Sequence, residues 1–184
     1  GVQTCALPIY TRKNHWHDFI HKSLFQKNND YGLGTYTKTF LPKDTIIIKE
    51  VANCLDKNIE NNDEYRFLLI KKLLKEKRKH FLNLVPNEID YHANFDNHLL
   101  EKAKKIFPTM DEELIKLYWL KYKRNAFSFN NHSCILFYAT KLNHSCEPNV
   151  TYYSSGNKMI FKTTRDIEAN EELLDSYIPT YLPK

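Results

Sequence analysis

The chain has 184 residues, of which 42% are hydrophobic and 14% aromatic, and it carries a formal net charge of +5. That size and composition exclude a disordered or fibrous chain and suit one compact domain with a substantial core. No apolar run approaches the roughly 20 residues needed to span a bilayer, so no membrane-embedded role is expected.

From the N-terminus, "GVQTCALPIYTRKNHWHD" has a short, weakly apolar patch with no basic region ahead of it. It does not read as a signal peptide, and residues 1–28 are left as an extension without a role. Residues 31–52, "YGLGTYTKTFLPKDTIIIKEVA", read as β structure. Gly32 and Gly34 are expected to flank a tight turn, with "LPKD" between two β-prone runs.

Residues 63–126 read as helical. Phe67, Leu69, Ile70, Leu73 and Leu74 recur at roughly helical spacing, and Pro86 is expected to stop that helix. A second helix, "NHLLEKAKKIF", ends before Pro108. A third is expected to open on a capping box of Thr109 and Glu112 and to run through "LIKLYWLKYKRNAF". The basic run "KKLLKEKRKH", Lys71 to His80, could hold nucleic acid, but between apolar helical positions it reads better as a solvated helix face.

From Phe127 the pattern returns to strands. "VTYYSSGNKMIFKTTRDI" is a hairpin around Ser155-Gly156-Asn157, and "EELLDSYI" a short closing segment. The fold class is therefore α+β, mainly β, with a helical insertion.

The tetrapeptide Asn-His-Ser-Cys occurs twice, at Asn131–Cys134 and at Asn143–Cys146. His144 and Cys146 would share a face of a strand, as a nucleophile and base must meet in space. A zinc site wants four ligands in paired short spacings, which both copies could supply only through an unusual hairpin. A buried thiol beside a surface imidazole is a third reading. The four cysteines (Cys5, Cys54, Cys134, Cys146) contain no C-x-x-C pair and point to a reducing compartment.

The second copy extends to "LNHSCEPN", which resembles the N-H-S-C-x-P-N signature of SET-domain protein methyltransferases. "EELLDSYI" is similar to that family's closing E-E-L-x-x-x-Y element, and "GLGTYTKTFLPKDTII" resembles its opening G-x-G segment. "RNAFSF", "EPNVTYY", "RDIEANEELLDSYI" and the helical insert resemble the SMYD-like branch, without the cysteines of its MYND zinc finger.

The resemblance implies a SET β-clip with a pseudoknot over residues 29–178. Its N-terminal β part is 29–55, its helical insertion 56–126 and its catalytic core 127–178, and 179–184 would begin a post-SET tail. It implies methyl transfer from S-adenosylmethionine to a protein lysine, with S-adenosylhomocysteine as product. Tyr177 takes the place of the catalytic tyrosine. Gly32, Leu33, Gly34, Asn143, His144 and Tyr177 are then expected to bind the cofactor, and Phe127, Thr140 and Tyr177 to line the lysine channel. Asn149 is expected to satisfy backbone groups at the crossing. Cys146 would be a zinc ligand only together with post-SET cysteines in a longer chain.

The copy at Asn131 is expected to be a coincidental polar turn, and "LFYATKL" a strand leading into the functional copy. Asp44 and Asn170 stand where the family has turn glycines and are expected to keep the left-handed geometry. The substrate would be a protein lysine, on a histone tail or a non-histone protein of the nucleus or cytoplasm. The alternative is a SET-like module that binds protein or chromatin without turnover.

Overall fold

The structure, a computed structural model, describes residues 18–29, 32–56, 58–89 and 95–177. Most of the 1–28 extension and all of the 179–184 tail lie outside the described residues. The strands are β1 (Phe19–Ile20), β2 (Leu24–Asn29), β3 (Gly32–Thr37), β4 (Ile46–Val51), β5 (Ala126–Phe129), β6 (His132–Ile135), β7 (Asn143–His144), β8 (Val150–Ser155), β9 (Lys158–Thr163) and β10 (Leu174–Asp175). The helices are α1 (Asp63–Glu76), α2 (Arg78–Leu82), α3 (Asn97–Ile106) and α4 (Glu112–Asn125). They fall into two compact units. Gly1–Val51 joins Tyr138–Lys184 in the first, and Ala52–Phe137 forms the second.

In the first unit, β1, β4, β9 and β8 make one antiparallel sheet in that order. In β9 the alternate residues Met159, Phe161 and Thr163 are buried, as a period of two dictates for a strand with one covered face. β4 breaks that alternation, because a register shift between Ile46 and Ile48 turns both Ile47 and Ile48 inward. The β8–β9 hairpin closes where the sequence indicates, with Gly156 at φ +59° in the left-handed region that costs glycine least. Asp44 and Asn170, at φ 64° and 66°, keep the left-handed turns expected of them.

Gly32 and Gly34 do not flank the turn. Both lie within β3, where Gly32 pairs with Asn29 and Gly34 with Lys27. Positions 30–31, between β2 and β3, lie outside the described residues. A G-x-G pair is equally compatible with a strand that needs a bare backbone at alternate residues.

The second unit is helical, with the β5–β6 hairpin at its end. Tyr65, Phe67, Leu69, Ile70, Leu73, Phe81, Trp119 and Tyr122 form its buried core, and the Phe67 and Trp119 rings stack with centroids 4.8 Å apart. The helix expected to run to Pro86 breaks at Lys77, which has non-helical angles, and continues only as the short α2.

The helix expected to open on that capping box, α4, begins at Glu112. Asp111, not Thr109, is its cap, and its carboxylate accepts from the Glu113 and Leu114 backbone N–H groups at 2.9 and 3.2 Å. Two capping signals compete there, and the aspartate stands next to the first apolar turn. The basic run lies mostly exposed on α1 and α2, though Lys71 and Lys72 donate to the carbonyls of Ile106 and Cys54.

The first Asn-His-Ser-Cys copy is a turn only at its start. Asn130 and Asn131 take φ 48° and 65° between β5 and β6, while His132 to Cys134 lie in β6 with the Cys134 side chain fully buried. "LFYATKL" is not a strand. After Leu136 the chain bends and makes a 3-10 turn at Ala139–Lys141 before entering β7. Ala, Thr and Lys lack the alternation that would hold an extended run, and a buried carboxylate organises the turn. Glu50, 1% exposed, accepts the Tyr138 and Ala139 N–H groups at 3.0 and 3.1 Å.

Candidate cofactor loop and active tyrosine

The second Asn-His-Ser-Cys copy and the closing segment are held together by backbone. β7 and β10 pair in parallel, Leu174 opposite Asn143 and Asp175 opposite His144. The ladder continues as Ser145 N–H donates to the Asp175 carbonyl at 2.9 Å and Asn149 N–H to the Leu174 carbonyl at 3.2 Å.

A strand pair this short needs side-chain help, and Asn149 supplies it. It is 2% exposed, accepts the Leu174 N–H through Oδ1 at 2.8 Å and donates through Nδ2 to the Glu172 carbonyl at 2.8 Å. One amide thus satisfies a partly buried donor and a partly buried acceptor of the closing segment. That is the structural role expected of Asn149.

Tyr177 lies against this loop. Its hydroxyl donates to the Leu142 carbonyl at 2.7 Å, and its backbone N–H donates to His144 Nδ1 at 3.0 Å. The two rings meet with centroids 5.2 Å apart. Because Nδ1 accepts, neutral His144 carries its proton on Nε2, which faces the Cys146 sulfur at 3.6 Å. Burial of the phenol, and then the neighbouring Asp175 charge, push the Tyr177 hydroxyl above the usual tyrosine range. The residue as a whole is 60% exposed. Asn143, His144 and Tyr177 are therefore brought together.

Sequence reasoning passed over the acid that organises the loop. Glu172 is half-buried, and its Oε1 accepts from Asn143 Nδ2 at 2.8 Å and from Asn29 Nδ2 at 3.2 Å. Its Oε2 accepts from the Tyr36 hydroxyl and from Asn29 Nδ2, each at 3.1 Å. The same carboxylate explains one glycine. A Cβ on Gly34 would stand 2.2 Å from Glu172 Oε1, so Gly34 makes room for this chain's own side chain. Gly32, at φ +116°, has open space where a Cβ would go, and Leu33 between them is 42% exposed. Glu172 lay in plain view as the second acid of "EELLDSY"; only its distant partners at 29, 36 and 143 reveal its part.

The two other residues expected to line a lysine channel belong to different units. Thr140 lies in the 3-10 turn of the first unit, close in sequence to Asn143. Phe127 lies in β5 of the second unit, half-buried opposite Cys134. The Lys141 carbonyl accepts from Thr35 Oγ1 at 2.7 Å, and burial lowers the affinity of its amine for a proton.

Asp175 is 2% exposed, its Oδ2 has no hydrogen-bond partner among the described residues, and burial pushes its pKa to about 6. Asn143 Oδ1, which has no partner among the described residues, is left as an acceptor, and that fits a ligand bearing an ammonium group such as S-adenosylmethionine. Zinc is a different matter. Among the described residues no group of three or more His, Cys, Asp or Glu side chains could hold a metal, and Cys146 is paired only with His144. A cavity of about 670 Å³ on α3 and the start of α4, lined by residues such as Leu100, Lys104 and Glu112, shares no residue with the loop.

Comparison with known proteins assigns the chain to a family. Among curated proteins, a SET domain-containing protein of Acanthamoeba polyphaga mimivirus is 33% identical over 179 residues, covering 89% of this chain and 69% of the relative. A potential protein lysine methyltransferase of Saccharomyces cerevisiae is 46% identical over 39 residues, 21% of this chain and 10% of the relative.

Among solved structures, the SET domain of LSMT bound to lysine and AdoHcy superposes with a TM-score of 0.55 at 15% identity, covering 85% of this chain and 49% of that one. Rubisco LSMT bound to AdoMet gives a TM-score of 0.55 at 14% identity, covering 85% and 48%. At that identity the likeness speaks for the fold, and this chain spans about half the length of those structures. The SET domain family itself matches residues 32–178, from the first glycine of β3 to just past Tyr177. The fold is the SET fold, mostly strands with a few helices, and this chain belongs to the SET domain family.

Proposed function

We propose that this chain is a protein-lysine methyltransferase using S-adenosylmethionine, of the SMYD-like branch without a MYND finger. The observation that carries the reading is the Tyr177 hydroxyl held on the Leu142 carbonyl at 2.7 Å, immediately before Asn143 and His144. The phenol is fixed at the edge of the loop rather than turned away from it.

When bound, the cofactor supplies an activated methyl group on a sulfonium sulfur. A lysine amine would take it by in-line displacement, the new N–C bond forming as the C–S bond breaks, with S-adenosylhomocysteine and methyl-lysine as products. The amine attacks only after losing a proton, and at pH 7 a lysine of ordinary pKa is neutral roughly one time in two thousand. The residues of this chain then have three tasks. They exclude water from the amine, with Thr140 and Phe127 as proposed walls. They orient it through Tyr177. They hold the cofactor through Gly32, Leu33, Gly34, Asn143 and His144.

The target is a protein lysine, on a histone tail or on another nuclear or cytoplasmic protein. Cys146 would take part in zinc binding only with cysteines brought from a longer chain. The 60% exposure of Tyr177 favours a second reading, in which the fold binds a protein partner without turnover. Calorimetric titration with S-adenosylmethionine, followed by transfer of labelled methyl to histones and to a cell-extract protein pool, separates the two. Cofactor binding with label on lysine supports the enzyme. Failure to label any protein despite binding supports the second reading, and absence of cofactor binding overturns the enzyme.

A further inference from the structure

Three separate chain segments converge on Glu172. Asn29 comes from β2, Tyr36 from β3 and Asn143 from β7, and all three give donors to its two oxygens. The Asn29 amide also donates to the Tyr36 hydroxyl at 3.0 Å, so the donors are tied to one another as well as to the acid.

The consequence is chemical. An asparagine amide has two nearly isosteric ends, and its orientation is set by what faces it. A carboxylate accepts and never donates, so the end of Asn143 facing Glu172 must be Nδ2. Asn143 Oδ1 then has no partner among the described residues and is left as an acceptor. Gly34 secures the arrangement from the other side, since any side chain there would collide with Oε1.

We propose that Glu172 is the positioning residue of the cofactor loop, acting through Asn143 by forcing its amide to offer an oxygen to a donor-bearing, cationic ligand. The inference rests on the methyltransferase reading for the identity of that ligand. It predicts that the acid at 172 acts on cofactor capture and not on the methyl-transfer step.

The test is a double-mutant cycle on the full chain, read by calorimetric titration with S-adenosylmethionine and by thermal melting. Glu172→Gln keeps the volume but presents an amide, so Asn143 is free to turn over. It should weaken cofactor binding by about tenfold. Where enzyme turnover is measurable, KM for the cofactor should rise with kcat nearly unchanged. Asn143→Ala should also weaken binding, and adding Glu172→Gln to it should weaken binding no further, because the group that Glu172 orients is gone.

Glu172→Asp, which keeps the charge but is one methylene short of Asn143, should show the same loss. It replaces Glu172→Gln if that variant melts below the assay temperature. Losses that add in the double variant, or a lowered melting temperature with cofactor affinity retained, overturn the proposal while leaving the methyltransferase reading in place. A wild-type chain with no affinity for S-adenosylmethionine removes that reading, and this inference falls with it.

Discussion

The phenol of Tyr177 is held by a single bond to a carbonyl, so its removal can be tested without disturbing the backbone that binds the loop. Tyr177→Phe should lower methyl transfer by about a hundredfold or more, the scale of losing one aligned hydrogen-bonding group from a reacting centre. Cofactor affinity, measured by titration, should stay within about threefold, because the His144 contact is made by the Tyr177 backbone N–H and survives.

Asp175 makes a second prediction, on stability. Its folded-state pKa stands near 6 against 3.8 for an ordinary aspartate, so burial disfavours its charge. The folded chain binds a proton that the unfolded chain has lost, and stability falls as pH rises from about 4 to about 6 and stays reduced above it. Asp175→Asn should therefore stabilise the protein by about 1–3 kcal/mol at pH 8 and give no gain at pH 4. Equal shifts in melting temperature at both pH values would refute the assignment. Neither the orphaned Oδ2 nor the Glu172 hub could be read from "EELLDSY", because both depend on neighbours far away in sequence. Tyr177 was legible, since it closes a local pattern.

Elements with a local signal were legible, and those set by tertiary neighbours were not. The β8–β9 hairpin follows from alternation and a turn glycine, and α3 and α4 follow from their apolar spacing. The segment before β7 was misread because Glu50 on β4, not its own residues, winds it into a 3-10 turn. The start of α4 turned on which of two polar residues reaches the free N–H groups. Asp111→Ala should lower stability by about 1 kcal/mol, as loss of a helix cap does, whereas Thr109→Ala should leave it within about 0.5 kcal/mol. Urea denaturation of both variants checks this, and an equal effect would return the cap to Thr109.

At the scale of the whole molecule, the first unit is assembled from two stretches of chain separated by all of 52–137. Bringing such distant stretches together carries a loop-closure entropy that local contacts cannot offset, so the point of return must be held strongly. Glu50 does this as the second-to-last residue before the chain leaves the first unit. It binds the N–H groups of Tyr138 and Ala139, the first two residues after the chain comes back. The carboxylate is 1% exposed, so truncating it leaves two donors away from bulk water at about 1–3 kcal/mol each. Glu50→Ala should accordingly destabilise the protein by about 2–4 kcal/mol in denaturant titration, and Glu50→Gln, which keeps an acceptor oxygen, by roughly half as much. A loss below about 0.5 kcal/mol for Glu50→Ala would mean that the sheet alone holds the two stretches together, and that Glu50 merely follows a path fixed elsewhere.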